Sequence, residues 1–341
     1  MSSPVLRVAL LGYGLAGAVF HAPLIDAVDG LQLSAIVIRN EERRRHAERD
    51  HPGAVLLDTD EQVWERSHEL DLVVVATPNR THVSLAQAAV EAGLPVVVDK
   101  PLAASADAAR GLVDEARRRG VMLTVFQNRR WDGDFLTVRR LVEQGALGRV
   151  LRMESRFDRW RPELAGGWRE LPGPDEAGGL LYDLGSHLVD QALLLFGPVA
   201  DVSAELDIRR PGARIDDDVF VALSHTSGVR SHLWMTALAA QPAARFRLLG
   251  DRAAYVKHGV DPQEALLRKG VRPGQPGWAE EPRESWGSLG AGDELRPVRT
   301  EPGAYQRFYE GVVQALRGGP PPVDPADAVA SLEVLEAARG G

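Results

Sequence analysis

One stretch near the N-terminus decides the fold: residues 8–21 read Val8-Ala9-Leu10-Leu11-Gly12-Tyr13-Gly14-Leu15-Ala16-Gly17-Ala18-Val19-Phe20-His21. An apolar run followed by glycines at G-x-G-x-x-G spacing is typical of a strand, a tight turn and a helix. Gly12 permits the turn, Gly14 lets a pyrophosphate approach the backbone, and Gly17 lets the helix pack closely on the strand. The helix N-terminus offers unpaired N–H groups to the anion. The stretch predicts a dinucleotide site, although the same glycines would also serve packing alone.

The length and composition indicate a globular protein with two domains. The 341 residues exceed one ordinary core, and we expect domains at residues 1–126 and 127–341. No apolar run approaches the roughly 18 residues of a membrane span, and the strand pattern begins too early for a signal peptide. We therefore expect a cytoplasmic protein without a membrane partner. The absence of cysteine excludes disulfides and thiolate metal sites, and the net charge of −8 argues against a nucleic-acid partner.

Strand and helix patterns alternate through the first part of the chain. The strands are predicted at residues 6–11, 32–38, 55–57, 70–76, 95–98 and 121–126. Residues 70–76 are apolar enough to be buried on both faces, as in a parallel sheet. The pattern predicts an α/β Rossmann domain with a doubly wound parallel sheet.

The end of the second strand indicates which dinucleotide is bound. Arg39 stands where an acidic residue would take the ribose hydroxyls of NAD and where an arginine accommodates the 2′-phosphate of NADP. Arg43 and Arg44 follow about one helical turn later. We predict NADP as the cofactor, with NAD the less favoured choice. In the alternative, these arginines are solvated ends of a surface helix and Glu41 or Glu42 reaches the ribose.

Two further strand ends carry polar side chains. Ligands of open α/β sheets bind beyond the carboxyl ends of the strands, so we expect Thr77, Asn79 and His82 near the nicotinamide half of the cofactor. In the alternative, Asn79 or Thr81 only caps the helix that follows. Lys100 ends the next strand and is held extended by the proline that follows, so it points into the same crevice unless it is simply an exposed lysine.

After Phe126 the pattern changes. Alternating runs at residues 149–157, 199–209, 218–225, 229–236, 245–250 and 253–256 follow one another without crossover helices. They predict an α+β C-terminal domain with a large, mostly antiparallel sheet that is open on one face. Residues 271–302, rich in Gly, Pro and Trp, are predicted to be loop.

A second polar constellation lies inside this domain. After Gly178-Gly179 a helix is predicted in which Asp183, His187 and Asp190 fall at i, i+4 and i+7, on one face. A histidine there is suited to take a hydroxyl proton, since histidine titrates at about pH 6.5. In the alternatives, the stripe is only the polar side of a helix, or Asp190 is a structural partner of His187. Without a third obvious ligand we expect no metal.

In this order the segments resemble the Gfo/Idh/MocA oxidoreductase family over essentially the whole chain. The family's E-K-P appears as Asp99-Lys100-Pro101, and its G-G-x-x-x-D-x-G-x-H-x-x-D segment is matched in full from Gly178 to Asp190. Residues 12–24, 128–132 and 182–185 are similar to the branch that contains NADP-dependent scyllo-inositol dehydrogenases.

The resemblance implies an NADP-dependent dehydrogenase that interconverts a secondary hydroxyl of a cyclic polyol or sugar with its ketone. It also implies a catalytic group made of Lys100, Asp183 and His187. His187 would act as the base, Lys100 would stabilise charge on the substrate oxygen, and Asp183 would hold a neighbouring hydroxyl or orient the base. The alternatives are a non-catalytic NAD(P)-sensing regulator, or an enzyme that uses NAD transiently for epimerisation, elimination or glycoside cleavage.

The remaining predictions concern binding residues and assembly. The residues expected at the cofactor are Gly12, Tyr13, Gly14, Leu15, Ala16, Gly17, Arg39, Thr77, Asn79, His82, Lys100, Asn128, Trp168 and Arg169. The residues expected at the substrate are Lys100, Arg156, Asp158, Asp183 and His187, although Arg156 and Asp158 also suit a charged sheet edge. The resemblance implies a homodimer or homotetramer formed through the open face of the sheet.

Overall fold

The computed structural model describes residues 4–167 and 170–340, and the chain divides into two compact units. The first comprises Met1–Asn128, Gln263–Trp278 and Ala304–Val329, and the second comprises Arg129–Pro262, Ala279–Gly303 and Ala330–Gly341. The continuous part of the first unit thus ends close to the predicted boundary at residue 126. Two later segments, which the sequence pattern assigned to the second domain, also belong to the first unit. The division at 126/127 stays a prediction.

Fourteen strands are described, and they form two sheets. In chain order they are β1 (Leu6–Leu11), β2 (Leu31–Val37), β3 (Val55–Leu57), β4 (Leu72–Val75), β5 (Val96–Asp99), β6 (Leu123–Phe126), β7 (Val150–Asp158), β8 (Val199–Asp207), β9 (Asp218–His225), β10 (Arg230–Thr236), β11 (Phe246–Gly250), β12 (Ala254–Lys257), β13 (Gly287–Ala291) and β14 (Glu294–Val298).

The α-helices connect and cover these strands. In chain order they are α1 (Ala22–Asp26), α2 (Glu41–Asp50), α3 (Glu61–Glu65), α4 (His82–Glu91), α5 (Ala106–Arg119), α6 (Gly133–Glu143), α7 (Ser186–Phe196), α8 (Gln263–Arg268), α9 (Gln306–Leu316) and α10 (Pro325–Gly340). Two π-helical turns, Ala16–His21 and Leu181–Gly185, directly precede α1 and α7. In the ranges that the structure describes, no helix is both long and apolar enough to cross a membrane.

The sheet of the first unit is parallel throughout, with the order β3-β2-β1-β4-β5-β6. Every residue of β4 is fully buried, as are Val8 to Leu10 of β1, because helices cover both faces of a doubly wound sheet. The strand order reverses between β1 and β4. The carboxyl ends of these two strands are therefore where ligands bind in folds of this kind, and the predicted Rossmann class is confirmed.

The sheet of the second unit has the order β14-β13-β12-β11-β7-β10-β9-β8. Its pairs are antiparallel except for β7 and β10, which run parallel. Side chains of β9 alternate between buried and partly exposed, as expected where one face packs on a core and the other does not. The predicted mostly antiparallel sheet is confirmed.

The prediction of loop for residues 271–302 is wrong in its last part. Residues Gly287–Ala291 and Glu294–Val298 form the hairpin β13–β14. A Cβ built on Gly287 would lie 2.4 Å from the Tyr255 hydroxyl, so this strand needs a glycine to make room for the ring of Tyr255 on β12. Glycine and Pro297 made the segment resemble a loop in the sequence.

Candidate active site

The three glycines of the N-terminal turn differ in what surrounds them. Gly12 has a φ of +96°, and a Cβ built on it would lie 2.7 Å from the Ala76 carbonyl oxygen. A Cβ on Gly17 would lie 2.1 Å from the Gly12 carbonyl oxygen. A Cβ on Gly14 would meet nothing closer than Arg43 Nη1, at 3.7 Å. Gly12 and Gly17 are thus required by the fold itself, while the backbone at Gly14 is open to a ligand and fits the pyrophosphate of a dinucleotide.

The side chains of the turn differ in exposure. Tyr13 is 5% exposed and its ring stands edge-on to His51, with centroids 5.8 Å apart. Burial raises the pKa of Tyr13 to about 12. Leu15 is exposed and Ala16 is partly exposed on the turn. The ring of Tyr13 therefore serves packing, and its contact with the cofactor stays a prediction.

Among the arginines that follow β2, Arg39, Arg43 and Arg44 each have a different environment. Arg39 is largely exposed and pairs with Asp60 at 3.0 Å, and Arg44 pairs with Asp58 at 2.7 Å. Arg43 extends its guanidinium to the surface of Gly14. Asn40 caps α2 by accepting a hydrogen bond from the Arg43 backbone N–H at 3.0 Å, which fixes the first turn that carries this arginine. Arg43, which the sequence marks only as a neighbour of Arg39, is thus the cation next to the glycine turn.

The segment after β4 carries three predicted cofactor residues. Thr77 accepts a hydrogen bond from the Thr81 hydroxyl at 2.7 Å, and Asn79 is 5% exposed at the start of a short 3-10 turn. The residue at the N-cap of α4 is Thr81, the other residue of the capping alternative.

His82 requires a correction. Its side chain is 0% exposed, and its ring nitrogens lie 2.8 Å from the Pro101 carbonyl oxygen and 2.9 Å from that of Thr77. A ring that is buried and engaged with backbone on both sides has no surface for direct cofactor contact. His82 instead ties together the segments that follow β4 and β5.

Lys100 follows β5 in the first unit. Its backbone N–H donates to Asp99 Oδ1 at 2.8 Å, and the side chain is partly exposed. Asn128, 6% exposed, is the last residue of the continuous part of the same unit. Asp183 and His187 belong to the second unit.

Asp183 and His187 stand on successive turns of one helical segment. Asp183 lies in the π-helical turn, with Arg159 Nη1 3.9 Å from its Oδ2, and both side chains are partly exposed. His187 lies in the first turn of α7, is 6% exposed, and packs edge-on to Phe157 of β7 with centroids 6.5 Å apart. A carboxylate, a guanidinium and an imidazole in this arrangement are able to bind neighbouring hydroxyls and to move a proton.

The second of the two glycines before this segment, Gly179, is explained by Asp216. Gly179 has a φ of +84°, and a Cβ built on it would lie 2.2 Å from Asp216 Oδ1. The Asp216 carboxylate accepts the Leu181 backbone N–H at 2.7 Å and pairs with Arg339 at 2.7 Å. Burial raises the pKa of Asp216. Sequence reasoning missed Asp216, because nothing in the local pattern near residue 216 refers to a helix that begins about 35 residues earlier.

Asp190 has a structural role. It is 2% exposed and accepts two hydrogen bonds from Arg130, at 2.6 Å and 2.8 Å. The neighbouring Gln191 donates to the Arg129 carbonyl oxygen at 2.8 Å. Helix α7 therefore anchors the segment that contains these arginines.

The contacts of Arg156 and Asp158 fit the alternative of a charged sheet edge, and their role at the substrate stays a prediction. Side chains alternate along β7, so these two residues point to the face opposite Phe157, which packs on His187. Arg156 stacks over the Trp234 ring at 3.8 Å and pairs with Glu154 at 3.0 Å. Asp158 accepts the Ala243 backbone N–H at 2.8 Å. The predictions for Trp168 and Arg169 fall outside the described residues.

Comparisons with known proteins agree with this architecture. Residues 6–127 match the model of the oxidoreductase family with an NAD-binding Rossmann fold, GFO_IDH_MocA, and residues 135–256 match the GFO/IDH/MocA C-terminal domain. The oxidoreductase YdgJ of Escherichia coli (strain K12) is 40% identical over 97% of this chain and 94% of its own length.

Two further matches come from Bacillus subtilis. The scyllo-inositol 2-dehydrogenase (NADP(+)) IolW of strain 168 is 33% identical over 98% of this chain and 92% of its own length. The solved structure of yvaA is 32% identical, with a TM-score of 0.93 over 100% of this chain and 97% of its own. The chain belongs to the Gfo/Idh/MocA family of oxidoreductases.

Proposed function

We propose that this protein is an NADP-dependent dehydrogenase that interconverts a secondary hydroxyl of a cyclic polyol or sugar with the ketone, with scyllo-inositol as the favoured substrate. The observation that carries the proposal is the pairing of Asp183 and His187 on successive helical turns, with Arg159 3.9 Å from the carboxylate. A base that lies next to a cationic hydrogen-bond donor and an anionic hydrogen-bond acceptor suits a substrate with several adjacent hydroxyls. The similarity to IolW over 98% of the chain supports the same substrate class.

Each proposed catalytic residue has one task. The nicotinamide cofactor, when bound, accepts the hydride that leaves the substrate carbon. His187 takes the hydroxyl proton as the C–H bond breaks, so that the oxygen becomes the ketone oxygen. Lys100 donates a hydrogen bond to that oxygen and stabilises the negative charge that develops on it. Asp183 accepts a hydrogen bond from a neighbouring hydroxyl and fixes which carbon reacts.

The preference for NADP is assigned to the arginines after β2. Arg39 stands at the end of the strand, and Arg43 lies next to the surface of Gly14. Cations suit the extra phosphate of NADP better than the free ribose hydroxyls of NAD. Arg39→Asp should therefore shift the ratio of kcat/KM values towards NAD, and an unchanged ratio would remove Arg39 from the phosphate site.

A substrate panel tests the proposed reaction. Purified protein is mixed with each of several inositols and aldoses, with NADP or NAD, and reduced cofactor is followed by absorbance. We expect the largest kcat/KM with scyllo-inositol and NADP. No turnover with any member of the panel, despite measurable cofactor binding, would refute the substrate assignment. Conversion of substrate without net release of reduced cofactor would indicate transient use of NAD instead.

Substitutions test the residue roles. Lys100→Met and His187→Gln should each abolish hydride transfer while leaving the NADP dissociation constant within about twofold of wild type. Activity that survives both changes would refute the mechanism.

Assembly and location complete the proposal. The open face of the second sheet carries Phe220, His232 and Trp234, whose rings lie 4.9 to 6.0 Å apart. A cluster of partly exposed aromatic rings on a sheet favours association, and we assign a homodimer or homotetramer to this face. The proposed compartment is the cytoplasm.

A further inference from the structure

A buried polar chain lies behind Lys100 in the first unit. The Tyr309 hydroxyl on α9 is 2.6 Å from His21 Nδ1, at the end of the π-helical turn. His21 Nε2 faces Asp99 Oδ1 at 4.0 Å, and the same Oδ1 accepts the Lys100 backbone N–H at 2.8 Å. Tyr309 and His21 are both 0% exposed. The side chains thus lead from α9, through the helix that follows the glycine turn, to the strand end that carries Lys100.

The direction of the hydrogen bond follows from burial. A buried phenol needs an acceptor for its proton, and His21 Nδ1 is its hydrogen-bond partner within the described residues. Tyr309 therefore donates to Nδ1, which fixes the tautomer of His21 that carries its proton on Nε2. That N–H makes no hydrogen bond within the described residues, and Asp99 Oδ1 stands 4.0 Å from Nε2.

The surroundings of the His21 and Tyr309 side chains keep both of them uncharged. Phe126 lies 4.3 Å from the His21 ring, and Phe308 lies 5.0 Å from Phe126. Burial in this aromatic setting lowers the pKa of His21 to about 4 and raises the pKa of Tyr309 well above its usual range. The imidazole is therefore neutral near pH 7, and its Nε2 side faces Asp99 at 4.0 Å.

We propose that Tyr309 and His21 are positioning residues for Lys100, because together they place the His21 ring 4.0 Å from the Asp99 oxygen that accepts the Lys100 backbone N–H. This inference rests on the proposed function for the role of Lys100, and on its own geometry for the coupling. Removal of the Tyr309 hydroxyl leaves Nδ1 without its donor, so that His21 no longer has a fixed tautomer. Asp99 and the turn at Lys100 then lose one of their constraints.

The small number of lysines in the protein allows the environment of Lys100 to be probed directly by NMR. It contains only three lysines, Lys100, Lys257 and Lys269, so reductive methylation with 13C-formaldehyde gives few dimethyl-lysine NMR signals. The Lys100 signal is assigned by its absence in Lys100→Arg. Lys269 is exposed on the surface and serves as the internal reference.

The test compares two removals of a buried hydroxyl. Tyr309→Phe breaks the bond to His21, whereas Tyr255→Phe is a matched control, since the buried Tyr255 hydroxyl has no hydrogen-bond partner among the described residues. We expect Tyr309→Phe to shift the Lys100 signal and to lower kcat about fivefold, with unchanged NADP affinity. We expect Tyr255→Phe to do neither. In 15N spectra of the wild-type protein, His21 should carry its proton on Nε2.

Three outcomes would overturn the inference. One is an unchanged Lys100 signal in Tyr309→Phe, and another is a His21 protonated on Nδ1 in the wild type. The third is an equal movement of the Lys269 signal, which would indicate a general structural change. Because the NMR measurements need no substrate, they decide the inference even if the substrate panel shows no turnover and the proposed function fails.

Discussion

Alanine substitutions at Gly14 and Gly17 should have opposite consequences, although the two residues are three positions apart in one motif. A Cβ on Gly17 would stand 2.1 Å from the Gly12 carbonyl oxygen, about 0.9 Å inside the 3.0 Å that real Cβ atoms respect. The opposing atom belongs to backbone at the end of β1, whose position is fixed by the hydrogen bond from Gly12 N to Val37 O at 3.2 Å. The helix must therefore move away from the strand.

The size of each effect follows from this geometry. Overpacking against backbone belongs at the upper end of the usual range, so Gly17→Ala should lower the free energy of unfolding by ~3 kcal/mol. At 2–4 °C per kcal/mol for a domain of about 200 residues, the melting temperature should fall by roughly 6–12 °C. Gly14→Ala meets nothing within 3.7 Å and should leave the melting temperature within about 2 °C of wild type. Its methyl group instead blocks the approach of the pyrophosphate, which should raise the NADP dissociation constant about tenfold or more, or ~1.4 kcal/mol.

Two measurements on the same preparations separate these effects. Thermal unfolding is followed by circular dichroism, and NADP binding is titrated by calorimetry at a temperature where both variants are folded. The reasoning is refuted if Gly14→Ala destabilises the protein as much as Gly17→Ala, or if it binds NADP with wild-type affinity.

Three further predictions concern charge and assembly. Arg43→Ala should raise the dissociation constant of NADP about tenfold while changing that of NAD less. Arg44→Ala serves as the control and should have little effect, because the Arg44 guanidinium pairs with Asp58. Equal losses of affinity for both cofactors in Arg43→Ala would contradict a phosphate contact. Trp234→Glu on the open sheet should reduce the molar mass measured by light scattering, and an unchanged mass would exclude that face as the interface. Because burial lowers the pKa of His21 to about 4, against about 6.5 in an unfolded chain, the unfolded state binds the extra proton first as the pH falls. The stability that neutral His21 contributes is complete above about pH 6.5 and is lost towards about pH 4, by up to ~3 kcal/mol. In denaturant titrations, the free energy of unfolding of His21→Asn should therefore depend less on pH than that of wild type. Parallel curves for the two proteins would contradict the burial argument.

The parts of the fold that were predictable are those specified by local pattern. Residues 72–75 are apolar without interruption because β4 is buried on both faces, and the alternation in β9 reflects a sheet with one covered face. The hairpin β13–β14 was not predictable, because Gly287 is needed to make room for the ring of Tyr255, which is on another strand.

The candidate site shows the same limit. Arg156 attracted a substrate role by charge and sequence proximity, yet the period of two along β7 sends it to the face opposite Phe157. His82 had the right place at a strand end, but burial turned its ring into a link between backbone carbonyls. The contact between His21 and Tyr309 spans 288 positions, and no local pattern indicates it. Sequence identified residue types suited to the chemistry, whereas the direction of each side chain depended on long-range packing.

The glycines of the two motifs show most clearly the difference between residues that the fold requires and residues that suit a ligand. Gly12, Gly17 and Gly179 each lack a Cβ because another part of the same unit already occupies its place: the carbonyl of Ala76, the carbonyl of Gly12 and the carboxylate of Asp216. These glycines would be required whether or not a cofactor or a substrate is bound. Of the three glycines in the first motif, Gly14 is the one around which the described residues leave room, and close approach of a ligand is the physical reason we propose for a glycine there. A G-x-G-x-x-G match thus becomes evidence for dinucleotide binding through its middle glycine, and the loss of NADP affinity in Gly14→Ala is the measurement that bears on it most directly.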